Sequence, residues 1–342
     1  MGDEATPSTV SVVIATLNRP DHLRQCLAHV LAQTRPPDEI IVVDASPDDR
    51  SSSLVATKFP DVTYLRNPRG PGSTATSRHI GLGRVGSDII AFLDDDAFAH
   101  PTWLEQLLPP YAAPDVGGVG GRALNGEPGE ERQGVDRIGL LCPDGTMTGN
   151  FAADPGRDIE VDHLLGANMS FRTDALRALG GIRDGYPGTC LREETDLCLR
   201  VRSAGWRLVF APASVVDHEA GPYRKGRRFD FRYVYFAQRN HLVLLIRNFG
   251  LTSSIVRRNL GVTRREMIRQ MQIVVRAPIQ LRSRGVARTL RAMAGAASRM
   301  LAMIAGIVSG LGAGWWLERR DRTSHVLPAP TTGVDRVPPR SP

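Results

Sequence analysis

Short apolar runs rich in β-branched residues recur along the first part of the chain, and each stops at a group of polar side chains. Val10–Thr16, Glu39–Asp44 and residues 88–93 have this form. Such runs are typical of strands that are buried on both faces of a parallel sheet. The segment after the first run spaces Leu23 and Leu27 as an amphipathic helix does. The alternation predicts an open parallel α/β sheet, whose ligands bind at the carboxyl ends of its strands.

The pattern weakens in the middle of the chain. Residues 117–162 are rich in Gly, Pro and Asp, which predicts loops and short antiparallel strands. Regular structure is predicted again from residue 164 onwards. The other predicted strands are residues 62–66 and 207–210, and the predicted helices include residues 54–59, 74–82, 101–108, 173–179, 193–204 and 233–247.

The strand predicted at residues 88–93 runs directly into Asp94, Asp95 and Asp96. Adjacent carboxylates repel one another unless a cation or strong hydrogen-bond donors lie among them. Oxygen ligands of this kind suit Mg²⁺ or Mn²⁺, above all where substrate phosphates complete the coordination shell. A solvated acidic turn is the alternative, since runs of charge are commonly only hydrated. Because the buried strand directs the carboxylates to the ligand-binding edge, the pattern favours a metal site.

Polar side chains also follow the other two strands. Asp44 ends the second strand, a position from which an acid commonly meets a ribose hydroxyl or a base edge. Thr16, Asn18 and Arg19 follow the first strand and offer polar groups to the same edge. Alternatively, Thr16, Asn18 and Asp21 cap the helix that comes next. The shared position at strand ends favours one site over separate structural roles.

A loop containing Gly and Pro at residues 67–73 precedes Arg78. Gly70 and Gly72 allow close approach of the backbone to a ligand, and the N-terminus of the following helix favours phosphate. The loop has no GKS or GKT sequence, so it is not a P-loop. By itself it is a weak indication of phosphate binding.

In order and spacing, these motifs resemble the inverting family 2 glycosyltransferases, which have the GT-A fold. The resemblance spans roughly residues 10–250 and is far more specific than any single motif. The matching segments are residues 10–19 (VSVVIATLNR), 40–46 (IIVVDAS), 92–97 (FLDDDA), 165–172 (LGANMSFR), 192–206 (REETDLCLRVRSAGW) and 215–218 (VVDH), with the loop before Arg78.

The resemblance implies a Rossmann-like, nucleotide-binding mixed sheet flanked by helices, with a C-terminal helical extension. It implies transfer of a sugar from a nucleoside-diphosphate sugar to an acceptor hydroxyl, with inversion. Asp96 and His218 would bind the Mg²⁺ or Mn²⁺ ion that bridges the diphosphate. The residues that would hold the nucleotide sugar are Thr16, Asn18, Arg19, Asp44, Arg78, Asp94 and Asp95.

The resemblance also implies a catalytic base, which takes a proton from the acceptor hydroxyl. Glu193 and Glu194 match a Glu-Asp pair whose second acid is the usual base. Glu194 is one methylene longer than Asp, so Glu193 remains the alternative, and Asp196 has a supporting role. An acidic first turn favoured by the helix dipole is the structural alternative for all three. Gly166 and Asn168 would shape the acceptor pocket.

The formal net charge is +7, and the excess of Arg lies in the C-terminal third of the chain. No nucleic-acid-binding module with interleaved aromatic residues accompanies this charge, so nucleic acid is not a predicted partner. Basic residues that follow His218 are expected to stabilise the departing diphosphate. They are Arg224, Lys225, Arg227 and Arg228. The four cysteines contain no CxxC pair, which predicts free thiols in a reducing cytosol.

The predicted organisation is a tail at residues 1–9, a catalytic domain at 10–250, a basic amphipathic helical extension at 251–320 and a disordered tail at 321–342. Residues 300–317 carry no charge and lie at the lower length limit for crossing a bilayer. Helices with Arg beside an apolar face bind lipid headgroups. With no signal peptide at the N-terminus, we expect a cytoplasmic protein held peripherally on the inner face of the cell membrane. A soluble helical extension is the alternative.

The sequence therefore predicts a metal-dependent hexosyl- or deoxyhexosyltransferase that acts on a glycan or lipid-linked acceptor in cell-envelope polysaccharide or glycolipid synthesis. A nucleotidyltransferase is the alternative enzyme, but a GxGxR-type loop would then follow the first strand, where this chain has ATLNR. A catalytically degenerate protein that only binds sugar nucleotides is the alternative outside enzymes. The presence of Asp96, Glu194 and His218 argues against it.

Overall fold

The structure is a computed structural model that describes residues 8–219, 231–277 and 285–323. The basic residues Arg224, Lys225, Arg227 and Arg228 lie outside the described residues, as do most of the two predicted tails. The chain forms two compact units. The first holds Met1–Leu141, Met147–Asp184 and Glu193–Gly221, and the second holds Cys142–Thr146, Gly185–Arg192 and Pro222–Pro342.

The first unit is built around one nine-stranded sheet. Its strands are β1 (Val10–Thr16), β2 (Glu39–Asp44), β3 (Thr63–Arg66), β4 (Ile89–Asp94), β5 (Ala97–Ala99), β6 (Val116–Leu124), β7 (Ile159–Glu160), β8 (Asn168–Arg172) and β9 (Arg207–His218). The order across the sheet is β3-β2-β1-β4-β8-β6-β9-β5, and β7 pairs with β9. The first four strands in this order are parallel, whereas β8 is antiparallel to both of its neighbours.

Helices cover both faces of the sheet. They are α1 (Pro20–Leu31), α2 (Arg50–Lys58), α3 (Thr74–Arg84), α4 (Trp103–Leu107), α5 (Thr173–Ala178) and α6 (Glu193–Ser203), with 3-10 turns at Pro109–Ala112 and Glu130–Arg132. Alternate residues of β1 enter different cores: Val12 and Ile14 join Leu27 of α1, and Val13 joins Leu82 of α3. Burial on both faces explains why the strand is apolar throughout.

The register of the parallel strands brings their polar ends to one edge. Thr16 at the end of β1 is paired with Asp44 at the end of β2. On the other side of β1, Ala15 is paired with Asp94 at the end of β4. Side chains that are far apart in the sequence therefore lie together at the carboxyl edge, where ligands bind in sheets of this kind.

The predicted mixed sheet flanked by helices is confirmed, and the strand predictions at Val10–Thr16 and Glu39–Asp44 match the observed bounds. The parallel part predicted from the strand–helix alternation is β3-β2-β1-β4, and β8, which runs against both of its neighbours, makes the sheet mixed. Residues 117–162 were predicted to form loops and short antiparallel strands, and their first segment is a longer strand than expected, antiparallel to β8 and parallel to β9. Val116–Leu124 forms a central strand, although its four glycines suggested a loop.

These glycines make room for neighbours on both sides of β6. A Cβ atom at Gly120 would lie 2.8 Å from the carbonyl oxygen of Asn168, and one at Gly121 would lie 1.9 Å from the carbonyl oxygen of Ser214. At Gly118 the same atom would meet the ring of Phe171 at 2.7 Å. The strand is rich in glycine because neighbouring residues already occupy the space that side chains would fill. Its composition therefore suggests a loop although it forms a strand.

The second unit is helical. It contains α7 (Phe231–Phe249), α8 (Ser254–Arg276) and α9 (Val286–Thr323). Because α7 groups with the later helices, the compact first unit ends before residue 250, where the catalytic domain was predicted to end. That residues 10–250 form the catalytic domain remains a prediction. Among the described helices, α9 is long and apolar enough to cross a membrane by length and composition.

Helix α9 packs closely on α7 through small residues. Cβ atoms at Gly306 and Gly310 would lie 2.8 and 3.0 Å from backbone carbonyl oxygens of α7. Further along, Arg247 of α7 forms a buried ion pair with Asp321, with Nη2 and Oδ2 2.7 Å apart. The glycines let the two backbones approach each other, and the ion pair fixes how far one helix is displaced along the other.

The close contact at Gly121 yields a stability prediction. Gly121→Ala should lower the free energy of unfolding by about 2 kcal/mol or more, because the new methyl group overlaps the Ser214 carbonyl and backbone must shift to accept it. Chemical denaturation monitored by circular dichroism measures this loss.

Gly83→Ala is the matched control, because a Cβ atom there meets nothing within 4 Å. As an exposed helical position in α3, it should gain about 0.5–1 kcal/mol. Equal stability of the Gly121→Ala variant and the unmodified protein would contradict the described packing of β6 against β9.

Candidate active site

Two of the three adjacent carboxylates join a histidine at the carboxyl edge of the sheet. One donor atom from each of Asp94, Asp96 and His218 lies within 4.8 Å of the others. His218 reaches this point because β9 ends there and pairs with β5, which places His218 opposite Ala97. Nε2 of His218 lies 3.5 Å from Oδ1 of Asp96. Two carboxylates and an imidazole form a donor set that fits a divalent cation.

The remaining carboxylate, Asp95, points to different partners. It accepts a hydrogen bond of 2.7 Å from Oγ1 of Thr16 and one of 3.1 Å from Nη1 of Arg19. The same Arg19 nitrogen donates to Oδ2 of Asp96 at 2.6 Å. Arg19 therefore joins the buried Asp95 to the group that contains His218, and its partly exposed side chain reaches the solvent side of the edge.

The environment separates the acidities of neighbouring carboxyl groups. Burial raises the pKa of Asp95 to about 6, although Arg19 and the hydrogen bond from Thr16 act in the opposite direction. Burial also acts to raise the pKa of Asp96, but His218 and Arg19 outweigh it and lower that pKa below its ordinary value. Asp96 is thus the better stabilised anion of the two, as a carboxylate ligand requires.

Asp44 is fully buried behind the edge and holds the ends of three segments together. Its Oδ1 accepts hydrogen bonds from the backbone N–H and the hydroxyl of Ser46, and its Oδ2 accepts one from the Tyr64 hydroxyl at 2.8 Å. Ser46 Oγ in turn accepts the backbone N–H of Asn18, which has a φ of +57°. Asn tolerates this left-handed conformation better than most residues. The predicted nucleotide contacts of Asp44 and Asn18 remain predictions.

Arg78 lies beneath the edge, with its side chain 3% exposed. Its Nη2 donates to Oδ1 of Asp94 at 2.7 Å and to the carbonyl oxygen of Gly166 at 2.9 Å, and its Nη1 donates to Glu193. A buried guanidinium needs such partners, because an unpaired charge is costly in the protein interior. Arg78 was predicted to hold the nucleotide; its contacts fit a residue that positions Asp94 and helix α6.

The acidic start of α6 contains two very different glutamates. Glu193 is 3% exposed and paired with Arg78, whereas Glu194 is half-buried and interacts electrostatically with the same arginine. Burial raises the pKa of Glu193 above its ordinary value, although Arg78 opposes this effect. Two residues further on, Asp196 accepts hydrogen bonds from Nε and Nη2 of Arg183. That buried pair holds the first turn of α6, which is a supporting role.

The two residues predicted to bind the acceptor contact the protein itself. Gly166 accepts a hydrogen bond from Arg78, and a Cβ atom there would lie 2.9 Å from that guanidinium. Asn168 is fully buried and donates to the carbonyl oxygens of Arg122 and Ser214. Its Oδ1 accepts a hydrogen bond from Trp103. In the structure both residues contact the side chains and backbone that lie behind the carboxyl edge of the sheet. Their contact with an acceptor remains a prediction.

Several partners of the site were not identified from the sequence. Asp94 was assigned to the nucleotide; strand β4 ends at this residue, and the turn formed by Asp95 and Asp96 brings Asp96 next to it. Tyr64, Trp103 and Arg183 gave no such signal. Each supports a site residue that is remote in the sequence, so its role depends on the fold.

Comparison with known proteins shows which family and which relatives this chain is similar to. Residues 11–180 match the family model described as glycosyl transferase family 2. Glycosyltransferase AglE of Haloferax volcanii is 32% identical over 233 residues, which cover 65% of this chain and 71% of that protein. The pre-mycofactocin glycosyltransferase of Mycobacterium tuberculosis is 30% identical over 210 residues, or 61% of this chain. The matched region spans 42% of that mycobacterial relative.

A solved structure shares the fold. The mannosyltransferase PcManGT from Pyrobaculum calidifontis, in complex with GDP-Man and Mn²⁺, superposes with a TM-score of 0.57 over 93% of this chain and 89% of that one. At 17% sequence identity, the similarity concerns the fold alone. The predicted GT-A arrangement of a mixed sheet flanked by helices is thereby confirmed. The family match and the archaeal relative show that the chain belongs to the family 2 glycosyltransferases.

Proposed function

We propose that this protein is a metal-dependent inverting glycosyltransferase that moves a sugar from a nucleoside-diphosphate sugar to an acceptor hydroxyl. The observation that carries the proposal is the convergence of Asp94, Asp96 and His218 at the carboxyl edge of the sheet. The residues predicted to hold the nucleotide sugar follow strands that end at the same edge. An edge of this type binds nucleotides in α/β proteins. The fold relative from Pyrobaculum calidifontis was solved with GDP-Man and Mn²⁺.

Mg²⁺ or Mn²⁺ would be held by Asp96 and His218, with Asp94 as a third donor. Bound there, the ion supplies positive charge to the diphosphate leaving group. Arg19 contributes a protein cation at the same place, since its guanidinium already bridges Asp95 and Asp96. Asp95, which accepts a hydrogen bond from Thr16, also accepts one from that guanidinium and so helps to orient it.

Glu194 is the base that we propose for the acceptor hydroxyl. Access supports Glu194 over Glu193, because a base must reach the proton that it removes. Glu194 is half-buried, whereas the carboxylate of Glu193 is buried against Arg78. Glu193 instead links α6, through Arg78, to Asp94. This connection holds the base and the metal-binding carboxylate in a fixed relation.

We further propose a hexosyl- or deoxyhexosyltransferase of cell-envelope polysaccharide or glycolipid synthesis, with a glycan or lipid-linked acceptor. The basic helical unit supports a peripheral position on the cytoplasmic face of the membrane, where such acceptors are reached. Fifteen arginines and three acidic residues lie in its described helices. A surface of that charge attracts anionic lipid and phosphate-bearing substrates alike.

A donor-binding assay tests the proposal directly. Unfolding temperature should rise with one class of UDP-, GDP- or dTDP-sugar, and only when Mn²⁺ or Mg²⁺ is present, because a ligand that binds the folded state stabilises it. A metal-dependent shift with one nucleotide would identify the base of the donor. A folded protein that shows no shift with any donor, and no transfer, would support the degenerate binding protein instead.

The metal site gives a first mutational prediction. Asp96→Ala should reduce Mn²⁺ affinity and lower metal-dependent turnover by about 100-fold or more, because it removes a ligand and the charge that Arg19 and His218 share. Isothermal titration with Mn²⁺ and initial rates at saturating metal measure the two effects.

Asp115→Asn is the control for this variant, since Asp115 is exposed and paired with Arg207 away from the site. It should retain both the affinity and the rate. Unchanged metal-dependent turnover in Asp96→Ala would refute the assignment of Asp96.

The paired glutamates give a second prediction. Glu194→Gln should keep donor binding and thermal stability but lower the transfer rate by about 10²–10⁴-fold, since it removes only a proton acceptor. Glu193→Gln should instead lower the free energy of unfolding by about 2 kcal/mol, because Arg78 loses its buried carboxylate partner and keeps only the partly exposed Asp94.

Donor titration, thermal denaturation and single-turnover rates separate the two roles. If Glu193→Gln alone kept donor binding and stability while losing transfer, Glu193 would be the base and Glu194 would not.

A further inference from the structure

The outward side of α9 carries a continuous apolar stripe. Val308 is 69% exposed, Leu301 62% and Trp315 45%. The spacing of these residues along the helix places them on one side, as the helical period requires. The stripe consists of Val286, Leu290, Leu301, Ile304, Val308 and Trp315, all exposed.

The opposite side of α9 is already occupied. Gly306, Gly310 and Gly314 face α7, where added Cβ atoms would lie within 2.8–3.0 Å of its atoms. Tyr235 donates a hydrogen bond of 2.9 Å to Ser309 on the same seam. Packing within the second unit therefore fixes the rotation of α9 about its axis, and with it the direction in which the stripe points.

Positive charge lies at both ends of the stripe. Arg288 and Arg291 are exposed near its start. At its other end the guanidinium carbon of Arg319 lies 4.6 Å from the ring centroid of Trp315, and that of Arg320 lies 5.4 Å from the ring of Trp316. Tryptophan next to arginine is the composition of the membrane–water boundary, where an amphipathic ring is half hydrated and anionic headgroups are close.

A second copy of this chain is a poorer partner for the stripe. Helices that pair in water flank their apolar seam with charged residues that form interhelical ion pairs. Residues 300–317, which contain most of the stripe and its flanks, carry no charge. Uncharged residues beside the stripe fit the acyl chains and the lower headgroup region of a bilayer better than the solvated rim of a dimer interface.

Insertion of α9 across the bilayer is also disfavoured by its packing. Its partner α7 carries Arg232, Arg239 and Arg247, and Arg247 forms its buried ion pair with Asp321 of α9. Spanning would move these charges into hydrocarbon or break the seam, and both are costly. The stripe from Val286 to Trp315 is about 44 Å long at the rise of an α-helix, longer than the ~30 Å hydrocarbon core.

We infer that α9 is a membrane-docking surface that lies in the plane of an anionic lipid bilayer, with its apolar stripe in the acyl region and its arginines among the headgroups. The opposed positions of stripe and seam carry this inference, together with the complementary charge. It deepens the proposed peripheral location of the enzyme by naming the surface and the lipid chemistry. Folding of α9 on α7 before contact makes the docking surface a preformed one.

The test uses the full chain and flotation with vesicles of phosphatidylcholine, alone or mixed with phosphatidylglycerol. The protein should float with the mixed vesicles and less with the neutral ones, and high salt should weaken its binding. Leu301→Glu should lower the partition coefficient by about tenfold or more, because it places a carboxylate where the bilayer would cover an apolar side chain.

Leu31→Glu is the matched control, with the same change at an exposed leucine of α1 in the first unit. It should leave vesicle binding within about twofold, as surface substitutions away from an interface do. Equal binding of Leu301→Glu and the unmodified chain would overturn the inference. So would a dimer that Leu301→Glu dissociates in solution without vesicle binding, or resistance to alkaline carbonate extraction, which marks a spanning helix.

Donor binding distinguishes this inference from the proposed function. Thermal shifts with nucleotide sugars should be the same for Leu301→Glu and Leu31→Glu, because neither residue lies at the sheet edge. Loss of vesicle binding with retained donor shifts supports the docking surface by itself. Vesicle binding by a chain that gives no donor shift would support docking and contradict the transferase proposal.

Discussion

A single buried cation organises the candidate active site. Arg78 donates to Asp94 at the end of β4, to the carbonyl of Gly166 before β8 and to Glu193 at the start of α6. Because water is excluded from this guanidinium, each partner compensates for part of its lost hydration, and removal of one exposes the others to an unbalanced charge. Arg78 thus links the end of β4, the residues before β8 and the start of α6. Arg78 therefore ties the proposed metal ligand Asp94 to the first turn of α6, which also carries the proposed base.

Sequence periodicity predicted the parallel half of the sheet well because burial on both faces imposes a simple pattern. Val10–Thr16 and Glu39–Asp44 have it, and their ends lie where the pattern stops. The central strand Val116–Leu124 was predicted only as part of a region of loops and short antiparallel strands, since its glycines reflect space already taken by Phe171 and Ser214. That space is a property of the folded sheet. The local sequence around these glycines does not show which distant residues will occupy the space beside them.

The same distinction applies to the site. Asp94, Asp96 and His218 were found because strand ends and motif order mark them, although the division of the three aspartates between two sets of partners depends on side-chain direction. The buried pairs, such as Arg183 with Asp196 and Arg78 with Glu193, join residues whose proximity arises only on folding. Candidate ligands are therefore visible in the sequence, whereas the groups that orient them are not.

The glycine seam between α7 and α9 has a consequence for the affinity of membrane docking. A helix that folds only on contact with lipid loses conformational entropy at that moment, and this loss is subtracted from its affinity. Gly306, Gly310 and Gly314 let α9 pack against α7 in the structure, so the proposed docking surface is ordered without a bilayer. Docking by the proposed surface would then involve no folding step, and its affinity would not be reduced by the ordering of α9.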